Sequence, residues 1–218
     1  MNNSAIILLS GGLDSYISLD IVSKKYKNIL ALFFNYGQKA YKEEYFSASK
    51  IAKKYNIELK VIKLPFLKEL VDNALVSPLE NDFNDFKSVW IPNRNGLFLN
   101  IAASWCDKYG YKNIVIGANK EEAQKFPDNS KEFIENSNAF FEYSTIVKPK
   151  IIAPCLEFDK IDIINYAIDN KLSFKVLKSC YQSKKISGKK HCGECMSCKY
   201  LKSALLKSKK PELIKEVF

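Results

Sequence analysis

Residues 4–25 read SAIILLSGGLDSYISLDIVSKK, and this stretch decides the fold. Ile6 to Leu9 is an apolar run of the length that a buried parallel strand requires. Ser10-Gly11-Gly12 is a tight turn with little side chain. Asp14 and Ser15 then open a segment whose apolar positions, Ile17, Leu19, Ile21 and Val22, suit a helix packed on a sheet. A strand that feeds a glycine turn and a helix start leaves successive backbone N–H groups without internal partners, which makes an anion site. The glycines matter because backbone must approach the anion closely. No Lys-Ser/Thr pair follows them, so the mononucleotide P-loop is excluded, and the spacing is not GxGxxG.

Outward from this unit, Ile29 to Phe34 (ILALFF) predicts a second buried strand, Lys42 to Tyr55 a helix and Ile57 to Leu64 a third strand. Two right-handed βαβ crossovers follow, and with them an open, mostly parallel sheet carrying helices on both faces. Periodicity fades from Pro65 to Trp90, a polar stretch with Asn73, Asn81, Asp82, Asn84 and Asp85, so it is expected to be a mobile insert placed as a lid. Pro92 to Gly96 leads into an apolar helix over Leu97 to Cys106, and Asn113 to Gly117 forms a fourth strand. Residues 118–130 are expected to be loop and Lys131 to Tyr143 helix. Ile151 to Pro154 is a strand end, and Asp159 caps a helix running to Ile168. A boundary is expected near residue 170, dividing an α/β domain (1–170) from a small C-terminal module (171–218) that ends in a lysine-rich helix over Lys199 to Lys207.

A chain of 218 residues with 47% hydrophobic content builds one substantial core and a small appendage. No apolar stretch reaches the roughly 18 residues of a membrane span and no leader precedes the first strand, so a cytoplasmic protein is expected. The formal charge of +10 suggests a nucleic-acid partner, but of 34 basic residues only Arg94 is an arginine. Bidentate recognition of bases and phosphates falls mostly to arginine, so nucleic acid is not the expected direct substrate.

Cys180, Cys192, Cys195 and Cys198 form CxxCxxC with a fourth cysteine upstream, whereas Cys106 and Cys155 stand alone. Short CxxC turns bring thiolates together as tetrahedral zinc demands, and a closed four-thiolate site is structural. Gly193 relieves the turn. The same residues admit an iron–sulfur cluster, or His191 in place of one cysteine. Lys184, Lys185, Lys189, Lys190 and Lys199 are close enough in sequence to offset the thiolate charge. His191 is the only histidine and adjoins this group, so Ser–His–Asp and Cys–His catalysis is unavailable in the sheet domain.

The loop SGGLDS at 10–15 resembles that of the PP-loop ATP pyrophosphatases (adenine nucleotide alpha hydrolases). The whole chain resembles the 7-cyano-7-deazaguanine synthase family within them. That resemblance rests on F-x-YGQ at Phe34 to Gln38 with Glu43 following, PNRNGLFLNIAA at 92–103, IGAN at 116–119 and FPD at 126–128 with Glu132-Phe133. It continues through PCLEFDK at 154–160, SCYQ at 179–182 and HCGECMSC at 191–198. It implies an enzyme that uses ATP with Mg²⁺ to adenylate 7-carboxy-7-deazaguanine. Ammonia then displaces AMP, and a second activation dehydrates the amide to the nitrile. It also implies one structural Zn²⁺ per chain and a homodimer.

By the same resemblance Ser10, Gly11, Gly12, Leu13, Asp14 and Ser15 hold the pyrophosphate, and Leu32, Phe33, Phe34 and Gly117 complete the nucleotide site. Tyr36, Gln38, Arg94, Asn119, Glu122, Phe126 and Asp128 face the second substrate. Asp14, Ser15, Arg94 and Lys160 carry the chemistry, and Cys180, Cys192, Cys195 and Cys198 bind the metal. The chain departs from the family where Asp-Tyr-Ser-Gly-Tyr-Pro-Asp-Cys-Arg is usual; Glu122 to Ser130 read EAQKFPDNS, and Ala40 stands where histidine is common. Two other functions fit the residues: a divergent relative adenylating another carboxylate, carbonyl or nucleobase, and a non-enzymatic nucleic-acid or protein-binding module.

Overall fold

The computed structural model describes residues 3–77, 82–182 and 191–218. Asn81 and the lysines 184, 185, 189 and 190 lie outside the described residues. The chain forms β1 (Ser4–Leu8), α1 (Leu13–Ser23), β2 (Asn28–Asn35), α2 (Tyr41–Lys54), β3 (Glu58–Lys63), α3 (Arg94–Tyr109) and β4 (Asn113–Val115). It continues with α4 (Lys120–Ala123), α5 (Lys131–Ser144), β5 (Lys150–Ile152), α6 (Lys160–Asp169), α7 (Met196–Lys207) and α8 (Ile214–Val217). The strands lie in the order β3-β2-β1-β4-β5. Every pairing is parallel, with Ile7 opposite Ala31 on one side and Val115 on the other.

Alternation along the strands divides the core into two layers. Ala5, Ile7, Leu9, Ala31, Phe33 and Val115 face a layer completed by Tyr16 and Ile17 of α1, Ile51 of α2, Ile163 of α6 and Leu205 of α7. Ile6, Leu30, Leu32, Phe34 and Ile114 face the other, with Phe98 and Leu99 of α3, Phe141 of α5 and the cysteines Cys180, Cys195 and Cys198. A sheet covered on both faces explains the near-continuous apolar strands. The tail beyond residue 170 contributes to both layers, its cysteines to one and α7 to the other.

Chain direction over the sheet switches between β1 and β4, which opens a crevice beyond their carboxyl ends. Two glycines set its floor. Gly11 has φ +85°, and a Cβ there would lie 2.6 Å from the Glu44 carbonyl oxygen and 3.0 Å from the Ala48 nitrogen. A Cβ on Gly117 would lie 2.8 Å from the Ser15 nitrogen. The loop after β1 is thus held between α2 and the turn after β4, backbone against backbone.

Three local expectations change. The described residues 65–77 and 82–90 pack as a wall rather than as a mobile lid: Leu67, Leu75, Phe83 and Val89 are buried. Asn73 donates to the Trp90 carbonyl (2.7 Å), and the Ala74 N–H donates to the Ser88 carbonyl (2.9 Å). The apolar residues there are irregularly spaced, so they have no period to read. α3 begins at Arg94 rather than Leu97, because Asn93 turns the chain in the left-handed conformation (φ 53°) and the Asn95 N–H is held by Asp128 (3.3 Å). Residues 118–130 hold the short helix α4, capped by Asn119, and a 3-10 turn at Pro127–Asn129.

Gly110 has φ +77°, and a Cβ there would meet no atom within 4 Å, so it serves as a control for Gly11. Both alanine variants carry left-handed strain, so urea denaturation should show Gly11→Ala less stable than Gly110→Ala by about 1–3 kcal/mol, the cost of overpacking α2.

Candidate active site

Gly12 precedes α1 as its N-cap and supplies no side-chain cap, so the first N–H groups of the helix are left for the crevice. The Ser10 and Ser15 hydroxyls lie 3.0 Å apart, Ser15 donates to the Gly12 carbonyl (3.1 Å), and the Gly12 N–H donates to Ser10 (3.3 Å). The Gly11 carbonyl accepts from the Ser47 hydroxyl (2.7 Å) and the Lys178 N–H (3.0 Å). The loop is therefore braced from behind while its front stays open to an anion.

A cavity of about 270 Å³ spreads from this loop. Ser10, Gly12, Leu13, Asp14, Ser15, Leu32, Phe33, Phe34 and Gly117 line its nucleotide end, and Tyr36, Gln38, Arg94, Glu122, Phe126, Asp128 and Lys160 line the rest. Two residues expected in the site stand behind its wall. Gly11 meets α2 instead. Asn119 is fully buried, and its side chain accepts the Glu122 N–H (3.0 Å), so it orients α4 and with it Glu122.

Charges alternate across the cavity. Lys160 Nζ meets Asp14 Oδ1 at 2.6 Å. Burial pulls the Lys160 ammonium down, but Asp14 and Glu122 outweigh it and hold it above its ordinary value. Asp159 places Lys160 through a capping box, accepting from the Ile161 and Asp162 N–H groups at 2.8 Å. Burial and the nearby Asp14 push the Glu122 carboxyl up, against Lys160 and Arg94. Arg94 donates to the Tyr36 hydroxyl (3.5 Å), and its buried Nε has no hydrogen-bond partner among the described residues, which suits an incoming oxyanion.

Of the two acids expected to read the second substrate, Asp128 is already engaged. One oxygen accepts from the Asn95 N–H (3.3 Å) and the other from Asn129 (3.1 Å). Burial raises its carboxyl, partly offset by Arg94. Gln38 is likewise committed, donating to the Phe34 carbonyl (2.9 Å) and Glu44 (3.0 Å) and accepting from the Tyr36 N–H (2.9 Å). It shapes the wall. An aromatic face completes the cavity: the Phe126 and Trp90 rings lie 5.9 Å apart and 12° from parallel, with Phe86 beside them 4.9 Å from Phe126 at 30°.

Glu44, Trp90 and Lys178 also line the cavity and were not singled out by the sequence, and Tyr181 of the SCYQ motif joins them without an assigned role. Glu44 escaped because Glu43 beside it carries the spacing signal; only the turn into α2 decides which of the two faces inward. Burial pushes the Glu44 carboxyl up to about 7, against Gln38, Arg94 and Lys178, with Glu43 adding to the rise.

The Sγ atoms of Cys180, Cys192, Cys195 and Cys198 all lie within 4.8 Å of one another, with Cys192 and Cys198 3.8 Å apart. That separation fits four thiolates around one ion. The Glu194 and Cys195 N–H groups point at Cys192 Sγ (3.4 and 3.3 Å), and Gly193, between Cys192 and Glu194, has φ +80°. His191 is not among the four: its Nε2 accepts the Ser179 N–H (3.1 Å). No helix among the described residues is long and apolar enough to cross a membrane.

The sheet order, the SGGLDS loop and the crevice beyond it define a PP-loop-type α/β protein. Solved structures share this fold: NMN synthetase from Francisella tularensis (TM-score 0.55, 14% identity, 96% of this chain and 78% of that one) and NH3-dependent NAD synthetase from Campylobacter jejuni (TM-score 0.51, 17%, 82% and 69%). Another is the U34-tRNA thiolase NcsA from Methanococcus maripaludis, described with its [4Fe-4S] cluster (TM-score 0.52, 19%, 98% and 69%). Among curated proteins, the 7-cyano-7-deazaguanine synthase of Carboxydothermus hydrogenoformans is 38% identical over 92% of this chain and 97% of its own length. That of Pelotomaculum thermopropionicum is 39% identical over 89% and 92%. The family model described as queuosine biosynthesis protein QueC matches residues 4–209, and the chain belongs to that family of enzymes.

The raised Glu44 carboxyl has a sign that stability measurements can read. Between its ordinary 4.5 and about 7 the native state binds more protons than the unfolded chain, so stability falls as pH rises through that window. Glu44→Gln keeps an acceptor for Gln38 and removes this dependence. Its Tm relative to the parent should therefore climb from pH 4.5 to pH 7 and level off above, as followed by thermal melts.

Proposed function

We propose that the protein converts 7-carboxy-7-deazaguanine and ammonia to 7-cyano-7-deazaguanine at the cost of ATP, acting as a C–N ligase in queuosine precursor synthesis. The observation that supports this most is one cavity joining the uncapped start of α1 to Arg94, the Lys160–Asp14 pair and Glu122, in a chain of the QueC family. A carboxylate resists ammonia until one oxygen becomes a leaving group, and transfer of an adenylyl group supplies that.

The residues divide the work. Ser10, Gly12, Leu13, Ser15 and the α1 N–H groups bind the pyrophosphate end of ATP, which arrives with Mg²⁺ as part of the substrate. Leu32, Phe33, Phe34 and Gly117 border the adenosine. Arg94 takes the carboxylate on its free Nε edge and holds it in line with the α-phosphorus. Lys160, kept charged by Asp14, neutralises charge building on the phosphates. Glu122 accepts from the guanine-like edge, while Phe126 and Trp90 stack on the ring.

For the metal we propose Zn²⁺ on Cys180, Cys192, Cys195 and Cys198. Thiolates converging within 4.8 Å suit a single ion, whereas an iron–sulfur cluster spreads its ligands over separate irons. Bound there, zinc would tie residues 171–218 to the α/β portion and take no part in catalysis. A homodimer in the cytoplasm is the assembly and location that the family resemblance suggests, and light scattering tests the former.

Purified protein supplied with ATP, Mg²⁺, ammonium and the carboxylate should release AMP and pyrophosphate and form the nitrile, detected by mass spectrometry. No turnover by folded, metal-loaded protein would refute the assignment. Arg94→Lys loses the bidentate edge and Lys160→Ala the phosphate charge; each should lower kcat/KM by about 10²-fold or more.

Elemental analysis should return one zinc per chain. Chelation, or Cys198→Ser, should lower Tm and expose apolar surface to a dye, because Cys180, Cys195 and Cys198 sit inside a core layer.

A further inference from the structure

Making an amide from ammonium requires a base, since the ammonium ion has no lone pair to offer. The only histidine, His191, lies beside the cysteine cluster with Nε2 occupied by the Ser179 N–H, and it is not among the residues lining the cavity. Asp14 is held by Lys160 at 2.6 Å, and both oxygens of Asp128 are engaged by Asn95 and Asn129. Glu122 lies in the field of Asp14 and Lys160, at the phosphate-handling pair.

Glu44 is differently placed. It projects from the first turn of α2, whose backbone abuts Gly11 of the anion loop, on the β2 side of β1 and opposite the β4 side that carries Glu122. Gln38 donates to its Oε2 at 3.0 Å, and Gln38 is itself fixed by the Phe34 carbonyl and the Tyr36 N–H. Among the described residues Oε1 accepts no hydrogen bond, and Glu44 lines the cavity, which leaves that oxygen to a molecule there. From these placements we infer that Glu44 is the proton acceptor for the attacking amine, and that Gln38 is the positioning residue that fixes its carboxylate. This rests on the proposed reaction and adds the group that activates its nitrogen nucleophile.

The step balances without a further reagent. One N–H proton of ammonium passes to Glu44 Oε1 as the nitrogen lone pair forms the bond to the adenylated carbonyl carbon. The C–O bond to AMP breaks, its electron pair leaving on the AMP oxygen. A second proton goes to solvent, and the amide keeps two.

The charged groups facing Glu44 are Arg94 from α3, Lys178 from the segment before Cys180, and Glu43 on its own helix. The two cations favour its ionised form, Glu43 and burial oppose it, and the carboxyl sits at about 7, close to where a base working at neutral pH is most effective.

Comparing two acceptors tests the assignment. Ammonium is almost wholly protonated at neutral pH, whereas hydroxylamine is mostly free base and needs no activation. With metal-loaded enzyme, ATP and the carboxylate, Glu44→Gln should lower ammonium-dependent amide formation at neutral pH by about 10²-fold or more. The deficit should shrink as pH rises and free ammonia accumulates. Hydroxamate formation from hydroxylamine by the same variant should stay within a few-fold of the parent, which also reports that its fold and ATP site are intact. An equal loss with both acceptors would place Glu44 in nucleotide handling or folding and overturn the inference, as would an unchanged ammonium rate. Parent enzyme that made no product with either acceptor would overturn the substrate assignment and this inference together; an active parent with an unaffected variant would overturn this inference alone.

Discussion

The contact on which the site depends is that of Gly11 with its neighbours. Its carbonyl takes the Ser47 hydroxyl and the Lys178 N–H, and its missing Cβ lets the loop touch the α2 backbone. An anion site of backbone N–H groups works only if those groups are already aimed, because reorganising them at each encounter would consume the binding energy. Bracing from behind provides that. Lys178 lies two residues before Cys180, so the segment steadying the loop is anchored by the cysteine cluster. A metal held by these cysteines would bear on the site indirectly, through the stiffness of the chain that holds the loop.

Around this rigid floor the charges are few and paired. Two cations, Lys160 and Arg94, face two acids, Asp14 and Glu122; the acids hold the Lys160 ammonium above its ordinary value against burial, while burial and Asp14 push the Glu122 carboxyl up against the cations. The chain's net charge of +10 plays little part in this: it is lysine charge spread over the exterior, and the one arginine is at the centre of the site. Glu44 is held by a different balance, with burial against two cations. Its carboxyl, pushed up to about 7, lies on one flank of the loop, and the Lys160–Asp14 pair lies on the other.

The stretch over residues 122–130 departs from the usual family pattern, yet its framework serves the site. Asn119 caps α4 and presents Glu122, while Asp128 fastens the start of α3 through Asn95. Phe126 and Trp90, near-parallel at 12° and backed by Phe86, present apolar ring surface to the cavity.

By itself, the sequence determined the parallel sheet, the anion loop, the capped start of α6 and the four-cysteine cluster. Each is encoded locally, by an apolar run, a glycine pair, a capping residue or a short spacing that physics reads one way. Only tertiary structure decided which of Glu43 and Glu44 faces the cavity, that Gln38 and Asn119 orient neighbouring groups, and that residues 65–77 and 82–90 form a wall. Those outcomes depend on contacts between segments far apart in the chain, such as Gly11 with α2 and Asn73 with Trp90, for which no local pattern exists.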